Sequence, residues 1–429
     1  MAVFYALKNI WVSKIILCTE VTFLVKLSKI LVLFLIINVI NINSLYSVNY
    51  LYNVKKEQNA VESSVSTMAS PTFEFQSYSQ ILMEPITGEI LYANNENEHM
   101  LPASVTKVMT LLLIMEQIDS GALAYDDMVT CSKKASEMGG SQIWFKEGEQ
   151  LTIDDALKAI CVVSANDVTV AMAELIGGSE ENFVAMMNSK AQELGMNNTN
   201  FMNSHGIDEE GHYTCAKDIA LMARELINKH PNILKYTSIW MDTLRNGEFG
   251  LSSTNKLIRY YDGATGLKTG YTSEALYNLV ATATRGDTTF ISVVMKAPTS
   301  DIRTAETKTL LDYGFSSYEV KKICSSNTIL DEIEINKNIN QKLETRIAND
   351  VYKLLVKGQK SDTEQIVTYN ENLSANIEVD QIVGKVEVYD KITNEKIGES
   401  NIVSNEQLLK SSWKEYMIFI IQKFFILKG

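Results

Sequence analysis

The stretch from Val105 to Ile118 is apolar nearly all round beyond Thr106 and Lys107 at its start, with only Thr110 and the Glu116–Gln117 end polar after them. A helix without a polar face has to be covered on every side. The chain must therefore build layers around this segment, and a polar residue at its start is held at the edge of a core. Neighbouring segments supply candidates for those layers. Ser79 to Glu84 and Glu89 to Tyr92 flank Pro85-Ile86-Thr87-Gly88, a hairpin pattern. Leu151 to Ile160, Asp167 to Ile176, Glu181 to Leu194 and Asp218 to Asn228 carry helical spacing, the last stopped by Pro231. Leu276 to Thr284 and Thr289 to Met295 read as strands joined across Arg285-Gly286-Asp287. The order is hairpin, helices, hairpin. The two ends can pair into one antiparallel sheet flanked by helices, with the middle helices as a lobe beside it, an α+β (α/β) domain.

After Tyr318 the texture changes to short Ile/Val-rich runs between charges: Thr328 to Ile335, Gln365 to Tyr369, Leu373 to Val379, Gly384 to Tyr389 and Lys396 to Ile402. Even, short strands of this kind predict a second, smaller all-β domain, with the boundary near residue 318. A chain of 429 residues has room for both.

Each end carries its own signal. Lys26 and Lys29 precede an apolar stretch from Ile30 to Ile42, and a further apolar segment, Ile15 to Val25, lies upstream. A basic flank before a short apolar core is the pattern of an export signal. The expectation is a signal peptide or N-terminal membrane segment over 1–48, with cleavage left open. A polar linker is expected over 49–73. The domains then run 74–318 and 319–404, and 405–429 reads as an amphipathic helix lying on a membrane surface. In that last segment Leu409, Trp413, Tyr416, Met417, Ile420, Phe424 and Leu427 recur at helical spacing, with Lys410, Lys414, Lys423 and Lys428 between them.

Composition removes several function classes. The formal net charge of −13 lacks the basic footprint of a broad nucleic-acid binder. Five scattered cysteines form no CxxC pair, and four histidines form no HExxH, so neither a zinc ribbon nor a metalloprotease is indicated. No metal or organic cofactor is implied.

Three short motifs carry chemistry. Ser104-Val105-Thr106-Lys107 opens the buried helix, Ser164-Ala165-Asn166 lies between two helical segments, and Lys268-Thr269-Gly270 opens the strand region. Singly each is weak; S-x-x-K recurs at Ser253–Lys256 and at Ser411–Lys414, and a serine at a helix start often only caps it. Together they form a consistent set. Residues three apart share a helix face, so Lys107 can lie beside Ser104. A desolvated lysine can serve as the base that turns a serine hydroxyl into a nucleophile. Ser164 can relay a proton, and Asn166 can hold a substrate amide or Lys107. Lys268 and Thr269 on an edge strand suit a substrate carboxylate, Gly270 allows close approach, and the Ser104 and Tyr271 amides can form an oxyanion hole.

The flanks narrow this. Pro102 to Thr110, Ser164 to Asp167, Leu194-Gly195-Met196, His212-Tyr213-Thr214 and Gly266 to Thr272 resemble the low-molecular-mass penicillin-binding proteins of the D-alanyl-D-alanine carboxypeptidase family. The resemblance covers about residues 75 to 300 closely, and the β-rich domain and tail more loosely. It implies a β-lactamase/penicillin-binding-protein-like fold. It implies an exported bacterial serine peptidase, at the outer face of the cytoplasmic membrane, removing the terminal D-Ala from peptidoglycan stem peptides. β-Lactams would be covalent inhibitors. Ser104 would be the acyl-enzyme nucleophile and Lys107 its proton acceptor, with Ser164 and Asn166 assisting. Lys268, Thr269, Gly270 and Tyr271 would bind substrate. Leu276 departs from the pattern, since this family usually has glycine there. A slow penicillin-binding sensor, an endopeptidase and a β-lactamase are the alternatives. Glu193 to Asn197 is similar to the deacylating glutamate segment of class A β-lactamases, but Glu193 reads as the end of an amphipathic helix stopped by Gly195, and Cys161 reads as a small buried hydrophobe.

Overall fold

A computed structural model describes residues 71–335, 342–371, 373–374 and 376–426. The expected export segment (1–48) and most of the expected linker lie outside the described residues. Strands β1 (Ser79–Met83) and β2 (Ile90–Asn94) form the hairpin expected around Pro85–Gly88. The all-apolar segment folds as the helix Lys107–Asp119, entered through a 3₁₀ turn at Ala103–Thr106. Every residue of this helix from Lys107 to Met115 is buried, as its lack of a polar face requires. Two small ribbons decorate the helical lobe: β3 (Met128–Thr130) with β4 (Gln150–Thr152), and β5 (Met241–Leu244) with β6 (Phe249–Ser252). Helices Asn166–Gly177, Glu180–Glu193 and Ala216–Lys229 fall where the spacing put them.

The chain returns to the first sheet through β7 (Ala264–Thr272), β8 (Leu276–Arg285) and β9 (Thr288–Ala297). The strand order is β2-β1-β9-β8-β7, all antiparallel, with β7 at an edge. Strand alternation divides the apolar residues between two cores. Ile81, Met83, Val280, Val293 and Met295 face the helical lobe. Leu82, Leu279, Ala281, Phe290 and Val294 face Leu310, Leu311 and Phe315 of the helix Ser300–Ser317.

That last helix was not anticipated from the sequence. It buries Arg303, Glu306 and Thr307 along with its leucines, so polar residues interrupt the apolar stripe that would reveal it. Its start is marked by Thr299, whose side chain accepts from the Ile302 amide.

Beyond it come β10 (Tyr318–Cys324), β11 (Ile329–Glu334), β12 (Lys342–Ile347), β13 (Val351–Val356), β14 (Thr363–Tyr369), β15 (Ile382–Asp390) and β16 (Lys396–Ser404). β10 pairs with β13, and the others form a sheet in the order β11-β12-β16-β15-β14. Both sheets contribute to one core, with Cys324 and Val351 packed in the same cluster as Leu343, Ile347, Val386, Val388 and Ile402. Leu373 to Val379, expected as a strand, forms none among its described residues; Ile377 makes an isolated bridge to Leu408. The same bridge corrects the C-terminal helix. It spans Trp413–Ile426, because Leu408 is buried against the β-domain. Among the described residues no helix is long and apolar enough to cross a membrane. Trp413, Ile418 and Ile420 are nonetheless exposed.

Candidate active site

Three elements bring the motifs together: the 3₁₀ turn before the central helix, the segment between two helices of the lobe, and the edge strand β7. Ser104 lies in the turn and its hydroxyl makes no cap at either helix start, so the capping role that its position allows is not used. Lys107, one turn on, extends its amine to 3.1 Å from Ser104 Oγ. The same Nζ lies 2.6 Å from Asn166 Oδ1 and 2.6 Å from the His205 carbonyl oxygen. Lys107 has no solvent exposure. Burial pushes its pKa well below the usual lysine range, the Lys268 charge lowers it further, and Asp167 opposes the shift.

Ser164 and Asn166 are delivered by an irregularity. The helix Ile153–Lys158 widens into a π turn at Ala159–Val163, and Ser164 then takes a left-handed backbone with φ 64°. This reversal starts the next helix at Asn166 and aims two successive turns at one place. Ser164 Oγ is buried and, among the described residues, without a hydrogen-bond partner. The Asn166 amide donates to the Gly139 carbonyl at 2.8 Å, which leaves its oxygen for Lys107. Asp167 secures the covering segment by accepting from the Ile143 and Phe145 amides at 3.0 and 2.9 Å.

Lys268 on β7 is 1% exposed, and among the described residues its one hydrogen bond is to the Thr269 carbonyl at 2.9 Å. Burial pushes its pKa down to about 7; the Cys161 thiol works against this and the Arg303 guanidinium adds to it. Thr269 Oγ1 pairs with Thr254 Oγ1 at 2.6 Å. Tyr271 is 55% exposed and lies tilted against Tyr277, ring centroids 4.4 Å apart. Of the eight sequence-derived residues, Ser104, Lys107 and Asn166 are joined by hydrogen bonds, and Gly270 on β7 lies against the Ser104 amide. Gly270 also allows a close approach by the chain's own backbone. A Cβ there would lie 2.8 Å from the Pro102 carbonyl oxygen and 3.2 Å from the Ser104 amide.

Several residues escaped the sequence reading. His205 supplies the carbonyl under Lys107. Asn278 on β8 donates to the Leu101 and Pro102 carbonyls at 3.0 and 3.1 Å, fixing the turn that carries Ser104. Arg303 donates to the Asn278 carbonyl at 3.2 Å, and its buried Nε has no partner among the described residues. Only the glycine after His205 left a trace in the sequence. The alternatives set aside stay aside: Cys161 is buried with its thiol pushed up to about 12, and Glu193 is an exposed partner of Lys190.

A profile described as D-alanyl-D-alanine carboxypeptidase matches residues 64–299, more than half of the chain. The chain belongs to the D-alanyl-D-alanine carboxypeptidase family. A second profile, the C-terminal domain of penicillin-binding protein 5, matches residues 318–410. The D-alanyl-D-alanine carboxypeptidase DacF of Bacillus subtilis is 40% identical over 79% of this chain and 87% of its own length. The structure of penicillin-binding protein 5 from Haemophilus influenzae superposes with a TM-score of 0.65 at 30% identity, covering 79% of this chain and 99% of that one. Penicillin-binding protein D2 from Listeria monocytogenes, in its ampicillin-bound form, gives 0.53 at 31% identity over 57% of this chain and 99% of its own. The antiparallel sheet between helices, with an all-β domain after it, is therefore the penicillin-binding-protein fold.

Proposed function

We propose that this chain is a serine-type D-alanyl-D-alanine carboxypeptidase that removes the terminal D-Ala of peptidoglycan stem peptides through an ester on Ser104. The observation that carries this reading is the bonding of Lys107. A neutral amine has two N–H donors and one lone pair. The Asn166 and His205 oxygens take the two donors at 2.6 Å each, which leaves the lone pair for the Ser104 hydroxyl at 3.1 Å. Lys107 accepts the hydroxyl proton as Ser104 Oγ bonds to the carbonyl carbon of the penultimate D-Ala. The oxyanion is held by the Ser104 and Tyr271 amides. On collapse the C–N bond breaks, and the Lys107 proton passes through Ser164 to the leaving amine. The orphaned Ser164 hydroxyl supports that relay. Water then attacks the ester, releasing the shortened peptide and restoring Ser104.

Lys268 and Thr269 are the carboxylate site in this reading. A buried amine whose one hydrogen bond among the described residues is to its neighbour's carbonyl gains most from an incoming anion. Ser104→Ala should lose all covalent labelling by fluorescent penicillin, and labelling that survives would remove Ser104 as nucleophile.

The peptidase domain is taken as 74–318 and the β-domain as 319–404, in keeping with the two matched regions. Action on peptidoglycan needs export, for which 1–48 is the proposed segment. The helix after the β-domain is proposed to lie on the membrane; the exposure of Trp413, Met417, Ile418, Ile420 and Ile421 supports it.

A further inference from the structure

We propose that Glu180 is a positioning residue for Lys107, acting through the segment Ser204–Gly206. The inference rests on the reading of Lys107 as the base for Ser104. If the two carbonyls under Lys107 aim its lone pair, whatever fixes those carbonyls sets the geometry of proton transfer. Asn166 is fixed by Gly139. The His205 carbonyl belongs to a loop, and loops hold position only when their polar groups are tied.

The tie is Glu180, at the first turn of the Glu180–Glu193 helix and 6% exposed. Its Oε1 accepts from the Ser204 hydroxyl at 2.7 Å and from the Ser204 amide at 3.1 Å. Its Oε2 pairs with Lys134 at 3.0 Å. The Ser204 carbonyl accepts from Thr110 Oγ1 on the central helix at 2.6 Å, and the Gly206 amide donates to Asn203 Oδ1 at 2.7 Å. The His205 backbone is thereby clamped on both sides. The His205 ring joins the arrangement. Its Nδ1 accepts from the Ile207 amide at 3.1 Å, so the neutral ring carries its proton on Nε2, which lies 3.7 Å from Glu180 Oε1. Burial and the Lys107 charge push the His205 pKa to about 4, so the ring is neutral at physiological pH. Burial works against the Glu180 carboxylate, and the Ser204 and Lys134 hydrogen bonds more than offset it.

Glu180 therefore has two parts to play. It holds one of the two Lys107 acceptors in place, and it brings a negative charge, paired with Lys134, to the His205 side. The other titratable groups in this region are Lys268 on β7, Asp167 on the helix after Ser164, Lys134 beyond Glu180, and His212 beside His205, whose pKa burial lowers to about 4.

The test is the rate of acylation by a fluorescent penicillin, measured across pH on full-length protein carrying Glu180→Ala or Glu180→Gln. Glutamine keeps an acceptor for Ser204 and removes the charge. Glu180→Ala is expected to acylate about tenfold more slowly at the plateau, the order expected when a reacting group is misplaced by a fraction of an ångström. Glu180→Gln should stay within about threefold, with the acid limb of its profile about half a unit lower, because a lost negative charge favours the neutral amine. A purely structural role would reduce the folded fraction and leave the acid limb where it is. Wild-type plateau and limb in both variants would overturn the proposal. If the alanine variant does not fold, an unmoved limb in the glutamine variant overturns it alone. Ser104→Ala is run alongside, because labelling that persists there would instead sink the underlying reading of the nucleophile.

Discussion

Gly206 lies against Ala103, so close that a Cβ on the glycine would stand 1.9 Å from the Ala103 carbonyl oxygen. The two residues join the loop under Lys107 to the turn that carries Ser104. Gly206 has φ 91° and Ala103 φ 48°, so both sides of this contact are left-handed. Any side chain at 206 meets a backbone oxygen that cannot move without moving Ser104.

Gly206→Ala should therefore damage activity and stability together. Backbone strain and a clash with main chain place the cost at about 3 kcal/mol or more. Thermal unfolding would show the lower midpoint, and penicillin labelling of the folded fraction would show slower acylation. An unchanged midpoint would mean that the contact relaxes freely.

Leu276 should be a site where glycine stabilises. It is the first residue of β8, paired with Thr272 where the turn from β7 ends, and has φ 55°, a conformation that a leucine side chain disfavours. Leu276→Gly is expected to raise stability by about 1 kcal/mol. Urea unfolding measures this directly, and a loss of stability would show that leucine packing outweighs the backbone strain.

Acylation should decline on the alkaline side earlier than an ordinary lysine would allow. Lys268 must be protonated to hold a carboxylate, and burial brings its pKa down to about 7. As pH rises through that value the cation is lost and kcat/KM should fall for peptides with a free terminal carboxylate. Lys107 works in the opposite sense, since it must be neutral, and burial lowers its pKa in that direction. A substrate with its terminal carboxylate esterified should lack the alkaline decline. Equal decline for both substrates would remove Lys268 from carboxylate binding.

Removal of residues 411–429 should abolish binding to anionic vesicles and leave the unfolding midpoint of the chain unchanged. The cut is placed after Lys410 because Leu408 is buried and paired with Ile377 in the β-domain. Truncated protein that still cosediments with the vesicles would place the membrane contact elsewhere.

Much of this fold is written in local patterns. The central helix follows from its unbroken apolar run, and β1–β2 and β8–β9 follow from alternation around Gly-containing turns. Ser104, Lys107, Ser164, Asn166 and Lys268 were legible because their chemistry is carried by side chains at fixed spacings. What stayed hidden acts through the backbone or over long separations. His205 contributes a carbonyl, which any residue has. Asn278 reaches back 176 residues to Pro102. The Ser300–Ser317 helix buries Arg303 and Glu306, so its pattern does not alternate cleanly between apolar and polar faces. The packing of Pro102 and Ser104 over Gly270 is likewise visible only in the folded backbone.

The central claim is that Ser104, with Lys107 as its base, releases D-alanine. The direct measurement is free D-alanine formed from a synthetic peptide ending in D-Ala-D-Ala, with wild-type protein and Ser104→Ala side by side. The expected result is steady release by the wild type and none by the variant. Release that persists in Ser104→Ala, or a folded wild type that penicillin acylates but that frees no D-alanine, would contradict it.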